Sequence, residues 1–239
     1  MRSAVAFLVA ATAAIWYNIR GESSSDINTE RKAEPDMKLL LTAFDPFGGE
    51  KTNPAQQAVG LIPANACGAE VVKLTVPTVF VRSVETVVNA IRSEKPDAVL
   101  MIGQAGGRSA VSVERVAINI NSASIADNEG NRPIEELIEQ DAPAAYFSTL
   151  PIVRIADAIR AEGVPAVISN TAGTFVCNQL MYGVLHYIEE EALPIRAGFI
   201  HIPFAPEQAA RQSAPMPSMS IEDSARAIET AIRTLAGSE

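Results

Sequence analysis

Two cysteines and two histidines occur in this chain, so a thiol–imidazole mechanism could be assembled in only a few ways. Cys177 lies in Ser169-Asn-Thr-Ala-Gly-Thr-Phe-Val-Cys-Asn-Gln179, where a short apolar run ends, a glycine-bearing turn follows and a helical pattern starts near Phe175. At about 100° per residue, Leu180, Met181, Val184 and Ile188 share a side with Cys177, which puts the thiol on the inward face of the first turn. Unpaired amides and the macrodipole at a helix start favour the thiolate, the nucleophilic form. The plainer alternative is a small buried hydrophobe. Cys67, in the Gly- and Ala-rich stretch Pro63–Gly68, has no comparable setting and reads as inert.

His201 ends the apolar run from Gly198 and is followed by Ile202 and the strand-stopping Pro203. Ligands gather at the carboxyl ends of strands in open α/β sheets, so His201 is the better candidate base. His186 falls opposite Cys177 on the same helical pattern and reads as a surface or interface residue. A base of this kind needs a carboxylate to orient it. In Ser112-Val-Glu-Arg-Val-Ala-Ile-Asn-Ile120, strand alternation puts Glu114 on one face with Val116, Ile118 and Ile120. A carboxylate on an apolar face needs a partner, which His201 could be. Arg115 is the duller candidate, but it points to the other face.

These residues must be held by surrounding elements. Apolar runs at Leu39–Ala43, Val71–Val76, Ala98–Gly103, Ala166–Ser169 and Gly198–Ile202 have the length and breakers of buried strands. Helical patterns lie between and after them, at Pro54–Leu61, Val79–Ile91, Ile152–Ala161, Phe175–Glu190 and Ile221–Leu235. The alternation predicts a single-domain α/β fold, a three-layer α/β/α sandwich around a mostly parallel twisted sheet. Asn121–Ser148 lacks periodicity and is either a functional loop or a small β excursion. Two glycine-bearing loops, Phe44–Gly49 and Gly103–Arg108, follow strands where such sheets present ligands, and their glycines would allow tight turns and exposed amides. Neither has nucleotide-binding spacing.

With 239 residues, 48% of them hydrophobic, the chain has enough apolar side chains for one sizeable core. The net charge of −9 argues against a nucleic-acid partner. Two isolated cysteines give neither a disulfide framework nor a zinc site, which suits a reducing compartment. Residues 1–36 differ from the rest: Arg2, an apolar run from Ala4 to Tyr17 too short to span a bilayer comfortably, then a polar linker. They read equally as a signal peptide, with Ala11-Thr-Ala13 as a weak cleavage cue, or as the product of a mis-set start ahead of Met37. A membrane tether is a third, weaker reading. Residues 37–239 are expected to form the catalytic domain.

Phe44-Asp-Pro-Phe-Gly-Gly49, Gly106-Gly-Arg-Ser-Ala-Val-Ser-Val-Glu-Arg-Val-Ala-Ile-Asn119, Ala144–Pro151, Ser169–Asn178 and Gly198–Gln208 resemble, in that order, motifs of the type I pyroglutamyl peptidase (pyrrolidone-carboxylate peptidase) family of cysteine peptidases. The resemblance starts at Met37 and runs nearly to the C-terminus. It implies hydrolysis of an N-terminal pyroglutamyl residue through a thioester, with Cys177 as nucleophile, His201 as base and Glu114 as its orienting acid. It also implies substrate walls from Phe44, Phe47, Phe175 and Val176, and polar contacts to the lactam from Asn53 and the backbone at Gln104. No metal or organic cofactor is needed. A homo-oligomer, dimer or tetramer, is expected, as is a cytoplasmic location unless residues 1–36 direct export.

The sequence departs from the family at Ser122-Ala-Ser-Ile-Ala-Asp-Asn128, where the family usually has Asp-Ala-Arg-Ile-Pro-Asp-Asn. Ser124 thus replaces an arginine expected near the reacting carbonyl. Loss of one oxyanion donor typically costs about 10²–10³ in rate. The role could pass to backbone amides at Cys177 or to Arg108. The alternative reading is an impaired relative that binds lactam ends without turnover. A nucleoside phosphorylase shares the broad architecture but would want a clearer phosphate cradle.

Overall fold

The strand–helix alternation is realised in a computed structural model that describes residues 37–237. The extension read in residues 1–36 lies outside the described residues. The first half contains β1 (Met37–Phe44), α1 (Pro54–Leu61), β2 (Asn65–Ala66), β3 (Ala69–Val76), α2 (Arg82–Glu94), β4 (Ala98–Gln104), β5 (Val111–Glu114) and β6 (Val116–Ile118). The second contains β7 (Ala145–Phe147), α3 (Ile152–Ala161), β8 (Ala166–Ser169), α4 (Val176–Glu190), β9 (Arg196–Ile202), α5 (Pro206–Ala209) and α6 (Ile221–Ala236). Seven strands form one sheet in the order β2-β3-β1-β4-β9-β5-β8. Pairing is parallel except where β2 meets β3 and β5 meets β9.

The central strands are covered on both faces, which is why they read as unbroken apolar runs. Leu39, Leu41, Leu100, Ile102 and Ile200 pack with α1, α3 and α6. Leu40, Val99, Met101 and Phe199 pack with α2 and α4 on the other face. Start signals are local. Asn53 caps α1 by accepting the Ala55 N–H at 2.9 Å, with Pro54 at the first helical position, and Ser220 caps α6 through the Asp223 N–H at 3.0 Å. Among the described residues, no helix is long and apolar enough to cross a membrane.

Two expectations change, and one that was open is decided. The single strand read over Ser112–Ile120 breaks at Arg115, whose N–H goes to the Ser169 carbonyl while its own carbonyl accepts from Ser148. β5 stays in the main sheet; β6 leaves it and pairs antiparallel with β7, so Val116 and Ile118 do not continue the face of Glu114. Asn121–Ser148 is the β excursion of the two readings: its β7 pairs with β6, just ahead of it in the chain, and Asn121 forms a bridge with Glu136. α2 begins at Arg82 rather than Val79, because Val81 takes φ 65° and gives its N–H to the Gln179 side chain at 2.6 Å.

Candidate active site

His201 lies near the end of β9, level with Gly103 of β4 on one side and Ser112 of β5 on the other. Two residues past Ser112, Glu114 is brought beneath the imidazole. Its Oε1 accepts the Nδ1–H of His201 at 2.8 Å and an Nη1–H of Arg108 at 2.5 Å. Glu114 is 0% and His201 3% exposed, so this hydrogen bond is screened little by solvent. A carboxylate against Nδ1 holds the proton there and leaves the Nε2 lone pair free to act as a base.

Burial alone would raise the Glu114 pKa. The hydrogen bond and charge of His201, with smaller help from Ser169 and Arg108, outweigh it and hold the acid below its ordinary value. The Ser169 hydroxyl that helps also donates to the Thr171 carbonyl at 3.0 Å, and Glu114 Oε2 makes no full hydrogen bond among the described residues. For His201, burial lowers the pKa most. Glu114 opposes that, Arg108 adds to it, and the net direction is down. The ring is therefore neutral near pH 7.

Cys177 is the second residue of α4 and is half-buried. Gly173, at φ 81°, turns the chain between β8 and this helix. No side chain caps α4, because Phe175 holds the N-cap position. The expectation that the helix start leaves a resting thiolate is not met. Burial pushes the Cys177 thiol up to about 12 and the Glu114 charge adds to it, against Arg108 and the residue's own backbone N–H. Near neutrality the site holds a thiol and a neutral imidazole, and ionisation of the sulfur must accompany proton transfer. Cys67 is exposed, its Sγ directed at the Glu229 carbonyl at 3.6 Å, and it stands away from this constellation as read.

The residues named for the pocket divide into two sets. Phe47 and Phe175 face each other at 6.2 Å, and Phe80, which the sequence reading missed, meets Phe175 edge-on at 5.3 Å. Phe44 is buried behind them, with its ring 6.4 Å from Phe199. Phe199 in turn lies 4.7 Å from the His201 ring. Val176 is fully buried. The Asn53 amide is largely committed: Oδ1 caps α1, and Nδ2 donates one hydrogen to the Asp45 carbonyl at 3.1 Å. Its second N–H makes no hydrogen bond among the described residues. Gln104 closes β4, and its side-chain oxygen accepts from Gln208 at 3.2 Å.

Gly103 serves differently from its reading as a freer of amides. A Cβ there would lie 2.7 Å from the Phe199 ring and 3.1 Å from the imidazole, so β4 needs glycine to let both rings pass. Arg108 is not aimed at a reacting carbonyl: its guanidinium is taken by Glu114 and by the Thr171 carbonyl at 3.1 Å. Arg115, the duller partner for Glu114, instead bonds Asn170 at 2.8 Å. Ser124 is exposed on a loop tied to the chain before α4 by Ser122 N–H to the Thr174 carbonyl and Thr174 hydroxyl to the Ser122 carbonyl. His186 is half-buried, because β7 brings Tyr146 over that side of α4.

The chain is similar to known proteins over most of its length. Residues 37–238 match the family model described as pyroglutamyl peptidase. A pyrrolidone-carboxylate peptidase of Thermoanaerobacter sp. (strain X514) is 54% identical over 200 residues, covering 84% of this chain and 98% of that one. Another from Treponema denticola is 51% identical over 202 residues, covering 83% and 93%. The crystal structure of Bacillus amyloliquefaciens pyroglutamyl peptidase I matches with a TM-score of 0.81 at 49% identity, over 84% of this chain and 97% of that one. Pyrrolidone carboxyl peptidase from Thermococcus litoralis matches with a TM-score of 0.80 at 39% identity, over 83% and 93%. Over the sheet, the helices and the loops that carry Cys177, His201 and Glu114, the chain belongs to the pyroglutamyl peptidase family.

Proposed function

We propose that this protein is a cysteine peptidase that hydrolyses the amide bond after an N-terminal pyroglutamyl residue, with Cys177 as nucleophile, His201 as general base and acid, and Glu114 as the group that orients His201. The observation that carries the reading is the buried carboxylate–imidazole hydrogen bond at the end of β9, on the sheet from whose β8 edge the chain turns into the cysteine-bearing start of α4. His201 Nε2 takes the thiol proton as Sγ bonds to the pyroglutamyl carbonyl carbon. The imidazolium, stabilised by Glu114, then gives that proton to the leaving amine as the C–N bond breaks. Water, deprotonated by His201, attacks the thioester; the C–S bond breaks and the thiol regains its proton.

The uncapped start of α4 offers backbone N–H groups, that of Cys177 among them, to the oxyanion, a role worth about 10²–10³ in rate per donor. These amides take the place of the arginine expected at position 124. Phe47, Phe175 and Phe80 wall an apolar pocket for the lactam ring, with Phe44 and Val176 packed behind it. The free N–H of Asn53 and the backbone at Gln104 supply one donor and one acceptor. Such a pocket rejects a free N-terminal glutamate, whose charges it could not solvate. The catalytic domain is residues 37–239, acting as a homo-oligomer in the cytoplasm on peptide substrates. Cys177→Ala should abolish release of aminocoumarin from a pyroglutamyl-aminocoumarin substrate while the thermal unfolding transition is kept. Substantial remaining turnover would refute the assignment.

A further inference from the structure

We propose that Arg108 is a positioning residue of this site, a clamp that ties the Glu114 carboxylate to the turn leading into Cys177. The inference rests on the reading of Cys177, His201 and Glu114 given above.

The sequence places Arg108 in the short connection between β4 and β5, six residues before Glu114. Gly107, at φ 83°, lets the chain reverse there, and the Arg108 side chain folds back over the end of β5. A guanidinium is a planar fork whose two terminal nitrogens donate in fixed directions. One of them meets Glu114 Oε1 at 2.5 Å, and the other meets the Thr171 carbonyl at 3.1 Å. Thr171 belongs to the 170–175 turn, whose Gly173 N–H is in turn held by the Thr171 hydroxyl at 3.0 Å. One side chain therefore fixes both the acid that orients the base and the loop that sets where α4 begins. The same Glu114 oxygen takes both Arg108 and His201, so movement of the guanidinium must be felt at the imidazole.

The charge matters as well as the geometry. The charged groups that act on His201 are Glu114 and Arg108, and the same two act on Cys177. Arg108 opposes protonation of the imidazole and favours ionisation of the thiol. The second effect eases loss of the sulfur proton, and the first keeps the imidazole in the neutral form that can accept it.

The test compares Arg108→Met and Arg108→Lys in the full chain with wild type, with Cys177→Ala run alongside. Steady-state hydrolysis of a pyroglutamyl-aminocoumarin substrate is measured across pH, with thermal unfolding of each variant. In Arg108→Met, kcat should fall about 10²-fold with KM little changed, as displacement of catalytic groups does. The acid limb of kcat/KM should move to higher pH by about 1, because His201 loses a nearby like charge. Arg108→Lys keeps the charge but not the fork, so it should restore the limb and only part of the rate. A wild-type kcat and unmoved limb in Arg108→Met, with Cys177→Ala inactive, would overturn the clamp alone. Should Arg108→Met fail to fold, a wild-type kcat in Arg108→Lys would do the same. Turnover by Cys177→Ala would instead remove the reading beneath it.

Discussion

The two histidines of this chain have similar immediate surroundings and dissimilar partners. His201 packs 4.7 Å from the Phe199 ring and has Nδ1 at 2.8 Å from a Glu114 oxygen. His186 stacks on Tyr182 at 6.2 Å and has Nδ1 at 2.9 Å from the Tyr146 hydroxyl. Each ring thus has an aromatic neighbour and one good hydrogen bond. Glu114, however, is an ionised acid held below its ordinary pKa, whereas burial raises the Tyr146 phenol and keeps it neutral. A neutral phenol can fix a ring in place. A buried carboxylate also stabilises the positive charge that forms when the ring takes a proton, which is what a general base requires. On the proposed mechanism, the partner's charge, together with the deeper burial of His201, separates the base from the structural ring.

That contrast is open to direct attack. His201→Asn should lower kcat/KM by about 10⁴-fold, the upper range for loss of a general base, while His186→Asn should leave it within a few-fold of wild type. Comparable losses in the two variants would erase the distinction. Glu114→Gln removes the charge but keeps the shape, and a loss of about 10⁴-fold in kcat is expected. Gly103→Ala crowds Phe199 and His201 from the β4 side. Overpacking should cost about 1–3 kcal/mol in thermal or denaturant unfolding, and a shifted imidazole should lower kcat about 10-fold.

Stability against pH gives a separate signal. The folded thiol of Cys177 is held up to about 12, whereas an unfolded cysteine ionises near ~8.5. Between those values the folded state binds more protons, so stability should fall as pH rises. Cys177→Ala should flatten that alkaline slope; an unchanged slope would mean that the buried thiol is not its cause. Tyr146→Phe should have the least effect, about 1 kcal/mol of stability from the unpaired His186 nitrogen, with kinetics unchanged.

Much of the site was legible in the sequence, for uneven reasons. Cys177 and His201 could be placed because parallel sheets gather function at strand ends, and both follow apolar runs with clear breakers. Glu114 was chosen as a buried carboxylate, yet the alternation used to bury it stops at Arg115, where the backbone turns its hydrogen bonds to Ser169 and Ser148. The state of the Cys177 sulfur was not legible. Helix position favours a thiolate, but burial and the Glu114 charge, both tertiary, act the other way and win. Phe80 reaches Phe175 from the connection between β3 and α2, and the Arg108 fork closes only once β5 and the 170–175 turn are side by side. No spacing along the chain encodes either contact. Gly103 carried a sequence signal, but its cause is two rings on the neighbouring strand.

Formation of a covalent acyl group on Cys177 can be read directly by mixing the enzyme with a pyroglutamyl ester, quenching in acid within the first turnover and measuring intact and peptide masses. One pyroglutamyl group should appear on the peptide that contains Cys177, and none in the Cys177→Ala variant. Turnover without any adduct, or an adduct carried by Cys67 instead, would contradict nucleophilic attack by the sulfur at the start of α4.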